Sequence, residues 1–226
     1  MRRAFRAFST LLIVAGLLAL IDGALTLLWE EPVSSLYARV QQGRLDDQLA
    51  ELERAGSTPV ERRALARLPD PARRLAFAAR ALGRRTEDDA AVGRLRAGAI
   101  GLDAVVVEGT GGTTLRKGPG HYPDTPLPGE PGTVGIAGHR TTYGAPFRRV
   151  DDLEAGDPIE LEMPYGRFTY RVERTRIVAP TAVEVTDDVA YDRLVLTACH
   201  PLYSAAQRIV VFARLAEAVP RAPGGG

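Results

Sequence analysis

The sequence predicts a mainly β catalytic unit of seven or eight short strands, closed into a barrel or sandwich, behind helical N-terminal segments. Three observations predict it. Beyond residue 98 aliphatic residues and threonine become frequent, and glycine and proline turns separate short apolar runs. Residues 31–98 are instead rich in Ala, Arg, Leu and Glu, with leucines at roughly helical spacing. One long apolar run stands near the N-terminus.

The first 30 residues are expected to form a basic cytoplasmic stub and a single transmembrane anchor. Arg2, Arg3 and Arg6 precede an apolar run from Leu11 to Trp29, about the length that crosses a bilayer. Arginines before the run predict a cytoplasmic N-terminus and an extracellular remainder, hence a cell-membrane protein. A cleaved signal peptide is the alternative, but no clear small-x-small cleavage site follows the run.

Residues 31–98 are predicted to form a helical stalk or linker. Pro59, Pro69 and Pro71 divide the segment into two or three helices, because proline interrupts a helix interior. Catalytic motifs are absent from this segment and charges of both signs alternate along it. A solvated spacer is therefore predicted, with a partner-binding coil or a pro-segment folded over the active site as alternatives.

Residues 99–217 are predicted to form the β unit, and residues 218–226 a disordered tail. Residues 159–163 show the clearest pattern, in which apolar side chains alternate with glutamate as in a half-buried strand. Strands are predicted at 100–108, 132–139, 159–163, 168–172, 174–178, 193–199 and 209–215.

The net charge argues against binding to nucleic acid or acidic lipid, and the spacing of the histidines argues against a Cys/His metal site. A net charge of +1 gives no general attraction to nucleic acid or acidic lipid. The histidines at 121, 139 and 200 lie far apart, and no Cys/His cluster has metal-ligand spacing. No metal or cofactor is therefore expected.

The only cysteine of the chain, Cys199, ends the predicted strand 193–199. In an exported protein cysteines normally pair as disulfides, so one free thiol indicates a nucleophile. Arg208 opens the next predicted strand, and the short loop between them predicts an antiparallel return. That return places the arginine beside the cysteine.

A general base has to come from another strand. His200 follows the cysteine directly, and alternation along a strand points its side chain to the opposite face. His139 ends the predicted strand 132–139 and is the preferred candidate, with His121 in a Gly/Pro loop as the alternative.

Cys199, His139 and Arg208 together resemble the catalytic trio of the sortases, the cysteine transpeptidases of bacterial surfaces. The family's Thr-Leu-x-Thr-Cys motif reads Val195-Leu196-Thr197-Ala198-Cys199 here, with Val195 and Ala198 in place of threonines. The segments 135–147 and 196–208 are most similar to class E, the sortases of high-GC Gram-positive bacteria. The resemblance covers residues 99–216.

The resemblance implies an eight-stranded sortase β-barrel and three catalytic roles. Cys199 would be the nucleophile, His139 the general acid and base, and Arg208 the group that stabilises the oxyanion. The substrates implied are secreted proteins with a C-terminal Leu-Pro-x-Thr-Gly-like signal, cleaved between Thr and Gly. The product would be joined to a cell-wall amine on a peptidoglycan precursor.

Three further positions are implied to contact the substrate, namely Tyr143, Thr197 and Ala198. Class E members prefer Ala over Pro at the second signal position, and Tyr143 matches the position linked to that choice. Three alternatives remain open: a pilin-polymerising sortase, a Cys/His peptidase or L,D-transpeptidase acting on peptidoglycan peptides, and a binding protein whose Cys199 is inert.

Overall fold

The structure, a computed structural model, describes residues 2–28 and 32–221. Within these ranges the helices are α1 (Arg2–Leu28), α2 (Pro32–Ala55), α3 (Pro59–Ala66), α4 (Pro71–Gly83) and α5 (Gly112–Leu115). The strands are β1 (Ala91–Ala97), β2 (Leu102–Glu108), β3 (Gly120–His121), β4 (Thr133–Ala137), β5 (Pro158–Met163), β6 (Gly166–Val178), β7 (Arg193–His200) and β8 (Gln207–Pro220). Short 3-10 turns lie at Gly98–Ile100, Val150–Asp152 and Val183–Thr186.

The eight strands form a closed barrel in the order β1-β2-β3-β4-β7-β8-β6-β5. The β1–β5 pair completes the ring, and only β2–β3 and β4–β7 are parallel among these pairs. Alternate side chains of each strand fill the interior, as the two-residue period requires. The predicted eight-stranded barrel is therefore confirmed.

Two strands lie where the sequence did not predict them. β1 belongs to the segment expected to be stalk, and its Leu95 is fully buried in the barrel core. Arg94 and Arg96 point outward from β1 and both form ion pairs with Asp103 on β2. β3 is only two residues long and lies in the predicted Gly/Pro loop. The barrel therefore begins at residue 91 rather than 99.

One predicted boundary in the C-terminal half also moves. Residues 168–172 and 174–178 belong to the single strand β6, with a register shift between Val172 and Arg174 against β8. β8 continues to Pro220, which pairs with Gly166, so the predicted disordered tail starts too early. Residues 222–226 of that tail lie outside the described residues.

The segment is divided into α2, α3 and α4 near the prolines that the sequence analysis named, and two of these prolines begin helices. Pro59 begins α3, where Thr58 and Glu61 form a reciprocal capping box. Pro71 begins α4, and the Asp70 side chain accepts a hydrogen bond from the Ala72 amide at 2.9 Å. Leu75, Ala79 and Leu82 of α4 are part of the barrel core. This helix therefore packs against the barrel and does not form the predicted stalk or linker.

Helix α2 also packs against the barrel, which corrects the prediction of a solvated spacer. Leu45 and Leu49 are buried in a cluster with Val105 and Val107 on the outside of β2. Next to them the Gln42 side chain forms three hydrogen bonds. Its amide nitrogen donates to the carbonyls of Val105 and Lys117, and its oxygen accepts from the Val105 amide.

The N-terminal region is helical from Arg2 to Leu28, and Trp29 lies outside the described residues. Among the helices that the structure describes, none combines the length and the apolar character needed to cross a bilayer. The transmembrane anchor expected over Leu11–Trp29 is therefore not found.

Candidate active site

Three neighbouring strands, β4, β7 and β8, carry the predicted trio, with β7 in the middle. Cys199 on β7 lies directly opposite Arg208 on β8 in their antiparallel register. Directly opposed residues have Cα atoms about 4.5–5.5 Å apart, and their side chains point to the same face. The arginine is thus beside the thiol, as the short loop predicted.

His139 reaches the same place from the other side. β4 and β7 are parallel with Ala137 beside Thr197, and the Gly138 amide extends the ladder by donating to the Thr197 carbonyl at 3.0 Å. Two residues further along each chain, this register sets His139 beside Cys199. The fold therefore brings together residues that are 60 positions apart.

The thiol lies on the outer face of the barrel. Leu194, Leu196 and Ala198 of β7 point into the barrel core, so the alternate residues point outward. Cys199 is partly exposed on that outer face and carries a free thiol. Ala198 was expected to contact substrate, but its side chain is buried inside the barrel and does not share the face of the cysteine.

Thr197 lies on the cysteine's face as predicted, but it is 95% buried. Its hydroxyl is 2.8 Å from the Tyr122 hydroxyl. The Tyr122 side chain lies close to Gly135, where an added Cβ would be only 2.7 Å from a ring carbon. The loop before β4 therefore covers the outer face next to Thr197.

The β6–β7 loop covers the other side of the same face. Val185 of this loop packs on an outer cluster formed by Val195, Val210 and Phe212. The Arg193 guanidinium fixes the loop by donating to the carbonyls of Val185 and Asp187 at 3.1 and 2.7 Å. The Tyr122 loop and the β6–β7 loop thus both lie against the outer face that carries the thiol.

The imidazole of His139 is partly buried, and one of its nitrogens is unpartnered within the described ranges. Its Nε2 atom is buried and has no hydrogen-bond partner among the described residues. Burial is the main cause that lowers the pKa of His139, and the positive charge of Arg116 lowers it further. The ring of Tyr143 lies 5.3 Å from the imidazole, so this tyrosine is next to the histidine.

The Arg208 guanidinium is held at the start of β8 by its own loop. One terminal nitrogen donates to the carbonyls of Ala205 and Gln207, both at 3.0 Å. The planar guanidinium carries five N–H donors, so these two contacts leave others available to a bound group. Arg214, six residues further along β8, is instead paired with Glu173 at 2.7 Å.

The other two histidines have structural contacts away from the thiol's face. His121 is buried on β3, with Nδ1 3.0 Å from Glu108 and Nε2 3.2 Å from the Pro126 carbonyl. His200 lies on the opposite face of β7 from Cys199, and its Nδ1 is 3.0 Å from Arg140. Neither histidine is therefore placed to serve as the base.

Arg140 is a residue that the sequence analysis missed. Its side chain is 97% buried and bridges His200, at the end of β7, and Asp151. Arg140 and His200 each follow a member of the trio directly in sequence, so their contact joins the ends of β4 and β7 behind the site. The pairs His-Arg and Cys-His at two strand ends are the only sequence signal of this contact.

Metal ligation finds no support in the part of the chain that is described. Among residues 2–28 and 32–221, no group of three or more His, Cys, Asp or Glu side chains could hold an ion. The site brings a thiol, an imidazole and a guanidinium together on one face of neighbouring strands, a set suited to nucleophilic attack on a carbonyl.

Comparisons with known proteins point to one family. The family model described as "Sortase domain" matches residues 95–216. The chain is 36% identical over 132 residues to sortase D of Bacillus subtilis strain 168, which covers 57% of this chain and 65% of that protein. It is 34% identical over 119 residues to sortase SrtE1 of Streptomyces coelicolor. That match covers 46% of this chain and 34% of the length of SrtE1. The matches thus span less than two thirds of either relative.

A solved structure shares the barrel. The crystal structure of sortase E1 from Streptomyces coelicolor, determined with a tripeptide in its active site, superposes with a TM-score of 0.57 at 28% identity. The superposition covers 61% of this chain and 95% of the other.

Proposed function

The chain belongs to the sortase family, and from this premise we propose that it is a cysteine transpeptidase that uses Cys199, His139 and Arg208. Sortases are transpeptidases. The observation that carries the proposal is the placement of the three side chains on adjacent strands, with the thiol in the middle.

In the first step the sulfur of Cys199 attacks the threonine carbonyl carbon of a sorting signal. Only the thiolate is a strong nucleophile, so the thiol proton passes to His139, and the imidazolium formed there favours the charged sulfur. The carbonyl oxygen becomes an oxyanion in the tetrahedral intermediate. Arg208 supplies fixed N–H donors and a positive charge for that oxygen, which is the usual route to a lower barrier.

The intermediate then loses the glycine amine. The Thr–Gly bond breaks, and the proton on His139 passes to the leaving nitrogen as the thioester forms. A cell-wall amine next attacks the thioester carbon and gives its proton to His139. The new amide forms while the thiolate leaves and takes this proton back from His139, so the enzyme returns to its starting state.

The substrate proposed is a secreted protein with a Leu-Ala-x-Thr-Gly or Leu-Pro-x-Thr-Gly signal near its C-terminus. The Tyr122 loop and the β6–β7 loop, which both lie against the outer face that carries Cys199, are proposed to flank an extended peptide that runs toward the thiol. Thr197 and Tyr143 are the residues proposed to border that peptide. Because such signals and cell-wall amines occur at the cell surface, we propose that the barrel acts outside the cytoplasm.

The test is a transpeptidation assay on the full chain. Peptides with Leu-Ala-x-Thr-Gly, Leu-Pro-x-Thr-Gly and a scrambled order are incubated with triglycine, and products are identified by mass spectrometry. The proposal predicts a product in which threonine is joined to triglycine, formed from one or both signals and not from the scrambled peptide. Consumption of peptidoglycan stem peptides instead, with both signals intact, would overturn the proposal.

The location is tested separately. Protease added to intact cells that make the protein should degrade the barrel, while a cytoplasmic marker survives. Protection of the barrel in intact cells, with loss after lysis, would contradict an extracytoplasmic site.

A further inference from the structure

Helix α2 approaches the active site at its N-terminal end. The Tyr143 amide donates to the Ser34 hydroxyl at 3.4 Å, and the Tyr37 ring meets the Tyr143 ring edge-on at 6.3 Å. Tyr143 in turn lies 5.3 Å from the His139 imidazole. A chain of contacts thus leads from α2, outside the matched family domain, to the catalytic histidine.

The link through Tyr143 is a strained one. Tyr143 has φ of +52°, a left-handed conformation that bulky residues rarely adopt. Such a conformation persists only when the surroundings hold it. The Tyr37 ring contacts the Tyr143 ring, and the Arg116 guanidinium lies 5.5 Å from the centre of the Tyr143 ring. The position of Tyr143 therefore depends on a residue from α2.

The position of Tyr37 is itself well fixed. Gln42 lies five residues after Tyr37 on α2 and forms three hydrogen bonds to the barrel backbone. Leu45, further along the same helix, is buried against β2. An added Cβ at Gly118 would lie only 2.2 Å from the Gln42 amide nitrogen, so the helix is closely seated. Removing the Tyr37 side chain would leave this seat intact.

We propose that α2 is part of the catalytic unit, and that Tyr37 is a positioning residue which holds Tyr143 against His139. Tyr143 then limits the access of water to the imidazole and fixes its orientation toward the thiol. The residue classed by sequence as part of a spacer helix would thus set how readily the catalytic histidine binds a proton.

The surroundings of His139 decide the sign of the effect. Burial by Tyr143 disfavours the imidazolium, as does the charge of Arg116. The groups facing it are Arg116 at the end of α5, Tyr143 on its own loop, Tyr37 behind Tyr143, Cys199 on β7 and Arg208 beyond it on β8. Releasing Tyr143 would admit water, so the pKa of His139 would rise toward its ordinary value of about 6.5.

The experiment compares Tyr37→Ala with two matched variants in the full chain. Tyr37→Phe keeps the ring contact, and Leu36→Ala removes a neighbouring side chain that is 59% exposed on the same helix. The pKa of each histidine is measured by NMR in a Cys199→Ala background, which removes the thiol from the titration. The chain has three histidines, so His121 and His200 serve as internal references.

Tyr37→Ala should raise the pKa of His139 and leave those of His121 and His200 unchanged. With Cys199 present, it should also lower kcat/KM about tenfold through misplacement of the histidine. Tyr37→Phe and Leu36→Ala should keep both values. An unchanged pKa of His139 in folded Tyr37→Ala, or an equal change in Leu36→Ala, would overturn the inference.

The kinetic readout rests on the proposed function, whereas the NMR readout does not. If the wild-type protein transferred no signal peptide, the proposed function would be wrong. The NMR titration of His139 would still test whether Tyr37 positions Tyr143.

Discussion

At Cys199 the outer face of the barrel presents a thiol between an imidazole from β4 and a guanidinium from β8. The two neighbours differ in their surroundings. His139 has a buried, unpartnered Nε2 and a lowered pKa, whereas Arg208 is held by two loop carbonyls. The histidine is therefore suited to gaining and losing a proton, and the arginine to keeping a constant charge.

The contribution of Arg208 is tested by Arg208→Ala. Loss of one fixed oxyanion donor typically costs about 100- to 1,000-fold in rate, so kcat should fall by that factor. Arg214→Ala is the matched control, since Arg214 points to the same face of β8 but is paired with Glu173. Near-normal turnover in Arg208→Ala would remove the arginine from the mechanism.

The lowered pKa of His139 predicts how stability depends on pH. The unfolded chain binds a proton at His139 near pH 6.5, and the folded chain binds it only at lower pH. Stability from this group is therefore present above about pH 6.5 and is lost as the pH falls toward the folded pKa. Urea unfolding at pH 7 and pH 5 should show a larger loss for wild type than for His139→Gln. Equal losses would mean that the pKa of His139 is not lowered in the folded state.

The sequence predicted the trio because each member carried a local signal. Cys199 is the only cysteine, and Arg208 and His139 stand at the ends of recognisable strands. Tyr37 carried no such signal, because its contact with Tyr143 joins residues 106 positions apart. The prediction that Ala198 contacts substrate was wrong because side chains alternate along β7. Cys199 points outward, so the residue before it points into the core.

At the scale of elements, strands with a regular two-residue pattern were predicted and short or charged ones were not. β5 was evident from its alternation, whereas Gly93, Arg94 and Arg96 gave β1 the composition of the preceding helices. β1 still alternates, with Gly93, Leu95 and Ala97 buried and Arg94 and Arg96 partly exposed between them. The docking of α2 was also missed, because a leucine stripe does not reveal which surface covers it.

The docking of α2 predicts a specific cost for Gln42→Ala. The substitution removes three hydrogen bonds and leaves the Val105 amide and carbonyl without their partners. Unfolding experiments should show a loss of about 1–3 kcal/mol, the usual cost of an unpaired buried polar group. Gln48→Ala, an exposed glutamine on the same helix, should change stability by less than about 0.5 kcal/mol. Equal small effects would mean that α2 is not held by Gln42.

At the scale of the whole molecule, the barrel, α4 and α2 form one packed unit that supports a site on its surface. α4 contributes to the barrel core and α2 covers β2, so the helices outside the matched family domain stabilise the strands within it. The loops beside the outer face that carries Cys199 are held to this rigid body through Arg193 and Thr197.

The most direct test of covalent acyl exchange is the intact mass of the protein after brief exposure to signal peptide without an amine. The account predicts a mass increase equal to the peptide up to threonine, assigned to Cys199 by peptide mapping and discharged when triglycine is added. Cleavage of the signal with no adduct on Cys199, or an adduct that triglycine does not remove, would contradict it.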